Sequence, residues 1–271
     1  MPFRSRIHGT DHVDALRALD AAGGGRLDPD TRMGPGSWAA ARLAAGAGLV
    51  AIDGLRDGDA EVAFCAIRPP GHHATPTRTM GFCLLNNVAV AAAALADAGE
   101  RVAIVDIDAH HGNGTQDAFV ADGRVLFVSC HQWPLYPGTG AADEIGIGDG
   151  MGTTINVPLP AGAAGDTYRH AMDVVVVPAV ERFEPDWVLV SAGFDAHRAD
   201  PLTDLGLSAG DYADLMGRLV GLVTTGRLVA FLEGGYDLGA LADSAGALVA
   251  AALGVRHRPE IGRAHVWTPV T

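Results

Sequence analysis

The sequence predicts an α/β fold built on a doubly wound, mostly parallel sheet with helices on both faces. Three observations carry that expectation. Apolar runs of strand length recur along the chain, Ala- and Leu-rich stretches of helical length lie between several of them, and five of the runs end in polar residues. With 271 residues, 48% of them hydrophobic, the chain can enclose one sizeable core. No repeat or linker divides it, so residues 1–260 read as a single domain.

The strand candidates, in order, are "EVAFCAI", "RVAIVDI", "RVLFVSC", "DWVLVSA" and "RLVAFLE". Each is nearly continuous in Val, Ile, Leu and Phe, the pattern of a strand buried on both faces. Helices are expected at "NVAVAAAALADAG", "GDTYRHAMDVVVVPAVERF" and "SAGDYADLMGRLVGLV", the last with Ser208 as N-cap. The run from Val174 to Val177 imitates a strand, but its flanks keep helical periodicity and Pro178 comes next, so it is read as helix. Gly and Pro crowd "GAADEIGIGDGMGTTINVPLPAGAAG", which reads as a long surface loop.

A formal net charge of −13 speaks against nucleic acid held through phosphates and favours cationic small molecules or Lys-bearing peptides. Cys65, Cys83 and Cys130 show no paired spacing and read as reduced, buried thiols. The amino end lacks an apolar h-region, and no uninterrupted apolar run reaches membrane-spanning length. The expectation is a soluble, cytoplasmic protein with no membrane partner.

The residues just beyond each strand matter most for function. The first strand leads into Arg68–His73, the second into Asp106, Asp108 and His110, the third into Ser129 and His131, the fourth into Gly193-Phe194-Asp195, and the fifth into Glu233–Tyr236. Ligands of open α/β sheets bind beyond the carboxyl ends of the strands, so these groups should converge in one crevice. Strand alternation puts Asp106, Asp108 and His110 on one face, where Asp108 and His110 could grip one ion and Asp195 could complete the site. Zinc suits this donor set, with manganese as the alternative. The plainer reading of an Asp-x-Asp at a strand end is loop capping or a solvated pair. His111 reads as structural, and His8, His12, His170, His257 and His265 as surface residues. The adjacent His72 and His73 resist such a reading, because neighbouring imidazoles repel when both are charged, a cost tolerated where protons must be moved.

Six ordered blocks, "RPPGHHA", "GFCLLNNVAVAA", "DIDAHHGNGTQDAF", "YPGTG", "SAGFDAHRADPL" and "LEGGYDL", resemble the signature of the histone deacetylase, acetylpolyamine amidohydrolase and acetoin-utilisation superfamily. "HHGNG" and "EGGY" resemble its class II-like and bacterial branch. The resemblance implies an arginase-like fold, hydrolysis of an amide with one zinc ion per chain, and a narrow tunnel for an acetylated amine. It also implies roles for particular residues. Asp108, His110 and Asp195 match zinc ligands, His72 and His73 the paired histidines, Asp106 the carboxylate behind His72, and Tyr236 the donor to the substrate carbonyl. Asn113 stands where class I members place an Asp behind His73, so the relay there should be weaker. Gly81, Phe82, Tyr136 and Phe194 match substrate-binding positions, with core packing the plain alternative for the three aromatic residues. Asp30 resembles a rim aspartate that holds the substrate backbone, a turn or capping role being the alternative. Asp106, Asp108, His110, Ser129 and Cys130 match a structural potassium site.

Members of that superfamily usually carry several dozen residues ahead of the segment that "RIHGTDHVDALRAL" resembles, so the expected fold is amino-terminally incomplete. Residues 261–271 read as a non-native tail. The expected substrate is an acetyl-lysine peptide or protein or a similar acylated small amine, and a homo-oligomer is compatible with the sequence. Three rivals stand beside this reading: an acetylpolyamine amidohydrolase, an arginase-like ureohydrolase with two manganese ions, and a non-catalytic acyl-lysine binding module.

Overall fold

A computed structural model describes residues 7–255. The expected tail at 261–271, His257 and His265 lie outside the described residues. The chain forms α1 (Thr10–Ala21), two short strands β1 (Gly25–Arg26) and β2 (Arg32–Met33), α2 (Ser37–Asp57), β3 (Ala63–Cys65), α3 (Asn87–Asp97), β4 (Val102–Asp106) and α4 (Asn113–Phe119). It continues through β5 (Val125–Gln132), β6 (Thr154–Leu159), α5 (Gly165–Ala171), α6 (Val177–Phe183), β7 (Trp187–Ala192), α7 (Ala209–Val220), β8 (Leu228–Leu232) and α8 (Leu238–Ala252). Strands β3 to β8 make one parallel sheet of order β3-β8-β7-β4-β5-β6. β1 and β2 pair separately and antiparallel.

The apolar runs are continuous because each central strand feeds two cores. In β4, Ala103 and Val105 join Tyr168, Val180, Tyr212, Leu215 and Leu248 of α5 to α8 on one face. Val102 and Ile104 join Ile52 and Leu55 of α2, Val88 and Leu95 of α3 and Phe119 of α4 on the other. Period-2 alternation thus persists, with both faces apolar. A third cluster packs Val13 and Leu16 of α1 against Trp38, Ala41 and Ala45 of α2. Among the described residues, α2 is the one helix with the length and composition of a membrane span. Its buried residues face these cores, and Leu43 and Val50 are exposed.

The expected helices form, and their ends have chemical causes. Ser208 and Asp211 make a reciprocal capping box at α7, and Asn86 caps α3 by accepting the Ala89 N–H at 3.0 Å. The Val174 region is helical, as expected. A π-type turn over Met172–Val176 joins α5 to α6 just ahead of Pro178, which has no N–H to give.

Two expectations are overturned. The stretch read as a long surface loop contains β6, an edge strand whose Pro158 pairs with His131 of β5. A proline is tolerated there because one side of an edge strand needs no ladder bond, and the flanking glycines hid the run.

His8 and His12, read as surface residues, are buried with their rings stacked 4.8 Å apart. His8 Nε2 accepts the Asn86 N–H at 2.8 Å, while His12 Nε2 donates to the Leu84 carbonyl at 3.0 Å. Burial and then the neighbouring His12 push the His8 pKa down to about 4. Between pH 6.5 and 4 the unfolded chain therefore binds a proton at His8 that the folded chain refuses. Stability should fall over that window as the pH drops, by up to about 3 kcal/mol from this group. Denaturant unfolding at pH 7.5 and 4.5, with chelator throughout, is expected to show a smaller acid loss in His8→Gln than in wild type. Equal losses in the two proteins would remove His8 as the cause.

Candidate active site

The sheet order places a topological switch between β4 and β7. From β4 the chain builds outward through β5 and β6, then crosses back to lay β7 and β8 on the other side. The loops after β4 and β7 diverge there and leave a crevice.

Asp106 is the last residue of β4, so strand alternation cannot align the groups beyond it as expected. A staircase of side-chain bonds does so instead. Asp106 Oδ1 accepts the Asp108 N–H at 3.1 Å, and Asp108 Oδ1 accepts the His110 N–H at 2.8 Å. Asp195 enters from β7 through Gly193, and its Oδ1 accepts the Ala109 N–H at 2.8 Å. A Cβ on Gly193 would stand 2.0 Å from Asp108 Oδ2, so only glycine lets the two strand ends close.

The ligand atoms of Asp108, His110 and Asp195 consequently lie within 4.8 Å of one another. His110 Nδ1 is 2.8 Å from Asp195 Oδ2 and 3.2 Å from Asp108 Oδ1. Both carboxylates are 0% exposed, and among the described residues neither pairs with a Lys or Arg. The three buried acids Asp106, Asp108 and Asp195 meet two imidazoles, those of His72 and His110, so positive charge falls short of what such burial requires, and a divalent cation fits that deficit. Burial disfavours charge on His110, but its bonds to Asp108 and Asp195 outweigh it and raise the pKa to about 11.

Behind this cluster stand His72 and His73, their rings 4.0 Å apart. His72 Nδ1 donates to Asp106 Oδ2 at 3.0 Å, and its Nε2 lies 3.8 Å from Asp108 Oδ1. Burial opposes the charge on His72, yet Asp108 and Asp106 override it and raise the pKa to about 10. For His73, burial and then the charge on His72 hold the pKa well below its ordinary value. Asn113 Oδ1 sits 2.8 Å from His73 Nδ1, and with the amide nitrogen turned toward the His73 carbonyl this oxygen accepts. That assignment puts the His73 proton on Nδ1 and leaves the Nε2 lone pair free. Two adjacent imidazoles are thus held in opposite states, one charged and one neutral.

The walls form a pocket of about 280 Å³ that reaches His73 and His110 and includes Asp30, Gly81, Phe82, Tyr136 and Tyr236. Larger depressions of about 510 and 490 Å³ lie at the opposite, amino ends of β5, β7 and β8, by Arg124 and Arg227. Tyr136 meets His73 edge-on at 5.2 Å, and Phe82 meets Tyr236 edge-on at 6.0 Å. Gly81 has φ +55°, and a Cβ there would come 2.3 Å from the His73 ring. Burial, then Asp108 and Asp195, raise the Tyr236 pKa, so its phenol keeps its proton.

Phe194 is a correction. It is 1% exposed and packs in the core at 5.1 Å from Tyr212 and 6.5 Å from Phe64, because Gly193–Asp195 turns the acid toward the cluster and the ring away. Ser129 lies in register with Asp106 and bonds to His131 Nδ1 at 3.0 Å, while Cys130 is a buried free thiol in the core. His111 is pinned between Thr139 Oγ1 at 2.8 Å and Gln116 Oε1 at 3.0 Å, as its structural reading expects.

Some contributors carry no local signal. The fully buried Glu233 accepts the N–H groups of Gly71 at 2.6 Å and His72 at 3.1 Å, fixing the turn that presents both histidines. Asp200 accepts the N–H groups of Tyr236 at 2.7 Å and Leu202 at 3.0 Å, and Leu135 and Leu202 complete the pocket wall. Glu233 stands among the polar residues after the fifth strand, but nothing local tells which turn it holds.

The model of the histone deacetylase domain family matches residues 4–252. The chain is 46% identical over 236 residues to a probable deacetylase of Archaeoglobus fulgidus, covering 86% of this chain and 66% of that protein. It is 42% identical over 238 residues to a histone deacetylase-like amidohydrolase of Pseudomonas aeruginosa, covering 86% and 63%. Against the chloroplastic histone deacetylase 14 of Arabidopsis thaliana the identity is 46% over 212 residues, covering 74% and 50%. The chain therefore spans about half to two thirds of the length of these curated relatives. The crystal structure of the HDA15 HD domain superposes with a TM-score of 0.89 at 40% identity, over 94% of this chain and 73% of that one.

Proposed function

Because the chain belongs to the histone deacetylase domain family, we propose that it hydrolyses the acetyl amide of lysine side chains, using one zinc ion held by Asp108, His110 and Asp195. One observation carries this reading. The buried three-residue cluster, a neutral imidazole and a protonated phenol meet at a single narrow pocket. A zinc ion at such a site supplies Lewis acidity toward the amide carbonyl and lowers the pKa of a nearby water.

The rest falls to the chain. His73 Nε2, with its lone pair free, takes the proton of the attacking water and passes it to the departing amine nitrogen. His72, held charged between Asp106 and Asp108, stabilises negative charge as it develops. Tyr236 donates its hydroxyl to the carbonyl oxygen as that atom becomes anionic. Phe82 and Tyr136 enclose the aliphatic chain, and Asp30 accepts an N–H of the substrate backbone at the rim. A potassium ion among Asp106, Asp108, His110, Ser129 and Cys130 belongs to the same proposal, supported by the pairing of Ser129 with Asp106.

A single ligand cluster among the described residues favours one ion over the two of a ureohydrolase. The test compares wild type with Tyr236→Phe on an acetyl-lysine peptide. Wild type should release acetate and stop when chelated, and the variant should keep its fold and lose at least about a hundredfold in kcat. Equal turnover by the two proteins would remove Tyr236 from the chemistry.

A further inference from the structure

The rim and the wall of the pocket meet through one side chain. Thr31 is 1% exposed although Asp30 and Arg32 on either side face solvent. Its hydroxyl accepts the Phe82 N–H at 3.1 Å and donates to Asp30 Oδ1 at 2.8 Å. One group serving as acceptor for the wall and donor to the rim requires a hydroxyl there. The loop that carries it is closed on itself: Asp28 Oδ1 receives the N–H groups of Asp30 and Thr31 at 3.0 and 2.6 Å, and the Leu27 N–H bonds to the Thr31 carbonyl at 2.9 Å. Phe82 has φ +66°, a conformation that a residue with a side chain seldom adopts, and its ring lies edge-on to Tyr236.

We propose that Thr31 is a positioning residue that holds the Asp30 carboxylate over the pocket mouth and thereby favours acetyl-lysine within a peptide over a free acetylated amine. The inference rests on the deacetylase reading above. Asp30 is a short, exposed side chain that also meets the Gly81 N–H and the Asp28 carboxyl, and without the Thr31 hydroxyl it loses one of these three restraints, samples more orientations and gives up that freedom when it binds. A peptide substrate offers backbone N–H groups to a carboxylate fixed at the rim, and a free acetylated alkylamine offers none. Through Asp30 the hydroxyl acts on the peptide alone, whereas through the Phe82 N–H it supports a wall that both substrates touch, so the two substrates are compared with each other. It reaches no reacting atom, so the part of its effect that passes through Asp30 should raise the peptide KM, while any loss through Phe82 is common to both substrates.

The test measures Thr31→Val and Thr31→Ser in the zinc-loaded full chain, on an acetyl-lysine peptide and on acetylated n-butylamine. For Thr31→Val the peptide kcat/KM is expected to fall about tenfold further than that of the alkylamine, the extra loss appearing in the peptide KM. Thr31→Ser should restore the peptide KM. Added to Asp30→Ala, which should itself raise the peptide KM, Thr31→Val should cost the peptide no more than it costs the alkylamine, since the peptide-specific effect of both passes through one carboxylate. A peptide loss in Thr31→Val no larger than the alkylamine's, failure of Ser to rescue, or a peptide-specific loss added in the double variant would each overturn the inference alone. Turnover of neither substrate by wild type would overturn the deacetylase reading and this inference with it.

Discussion

Asp195→Asn is expected to give a folded protein that neither retains zinc nor hydrolyses an acetyl-lysine peptide. The amide keeps the shape of the acid, and its Oδ1 can still accept the Ala109 N–H that seats the loop. What it lacks is the anionic ligand facing His110 Nδ1 at 2.8 Å. Burial and then the charge on Asp108 raise the Asp195 pKa to about 6, so in the metal-free protein the folded state holds a proton there that the unfolded chain gives up. Stability from this group falls as the pH rises from about 3.8 to about 6. Above pH 6 the metal-free variant should therefore be at least as stable as metal-free wild type. With zinc the order reverses. Free zinc at a hundred times Kd should stabilise wild type by about 2.7 kcal/mol and leave the variant where it was. Unfolding curves with and without zinc read both effects, and a zinc-induced shift in Asp195→Asn would remove Asp195 from the ligand set.

His73→Ala should lower kcat by about a hundredfold to ten-thousandfold with zinc content unchanged. The pH profile separates a base from a packing residue. His73 must be unprotonated to act, and burial beside charged His72 holds its pKa below 6.5, so wild-type kcat/KM should be flat near neutrality and fall at more acid pH. That limb should vanish from the residual activity of His73→Ala. Asn113→Asp sets a carboxylate against His73 Nδ1, which favours the charged ring and should move the limb to higher pH. A limb that stays in place in both variants would assign it to another group.

Five of the six sheet strands and the candidate metal cluster were legible in the sequence because their signals are local. Asp106, Asp108 and His110 fall within five residues after an unbroken apolar run, and Asp195 and Tyr236 come after equally plain strands. Their convergence is a property of the topology, since β4 and β7 flank the switch point. Signals that depend on tertiary contact were not legible. Glu233 holds the His72 turn across 161 residues, and Thr31 reaches Phe82 across 51. His8 and His12 look like exposed polar residues until the loop at Leu84–Asn86 covers them. Phe194 shares a turn with Asp195, but which of the two faces the crevice depends on how Gly193 closes against Asp108. In β6, glycine-rich flanks and Pro158 masked a strand that only its place at the sheet edge permits.

The chemistry proposed for the crevice requires three residues from two strand ends to share one ion. Anomalous diffraction at the zinc absorption edge, from crystals of the zinc-loaded protein, tests this most directly. A single strong peak among Asp108, His110 and Asp195, facing the Tyr236 phenol, is the result expected. A second zinc of equal strength within the crevice, or a peak that leaves Asp195 out of contact, would contradict it.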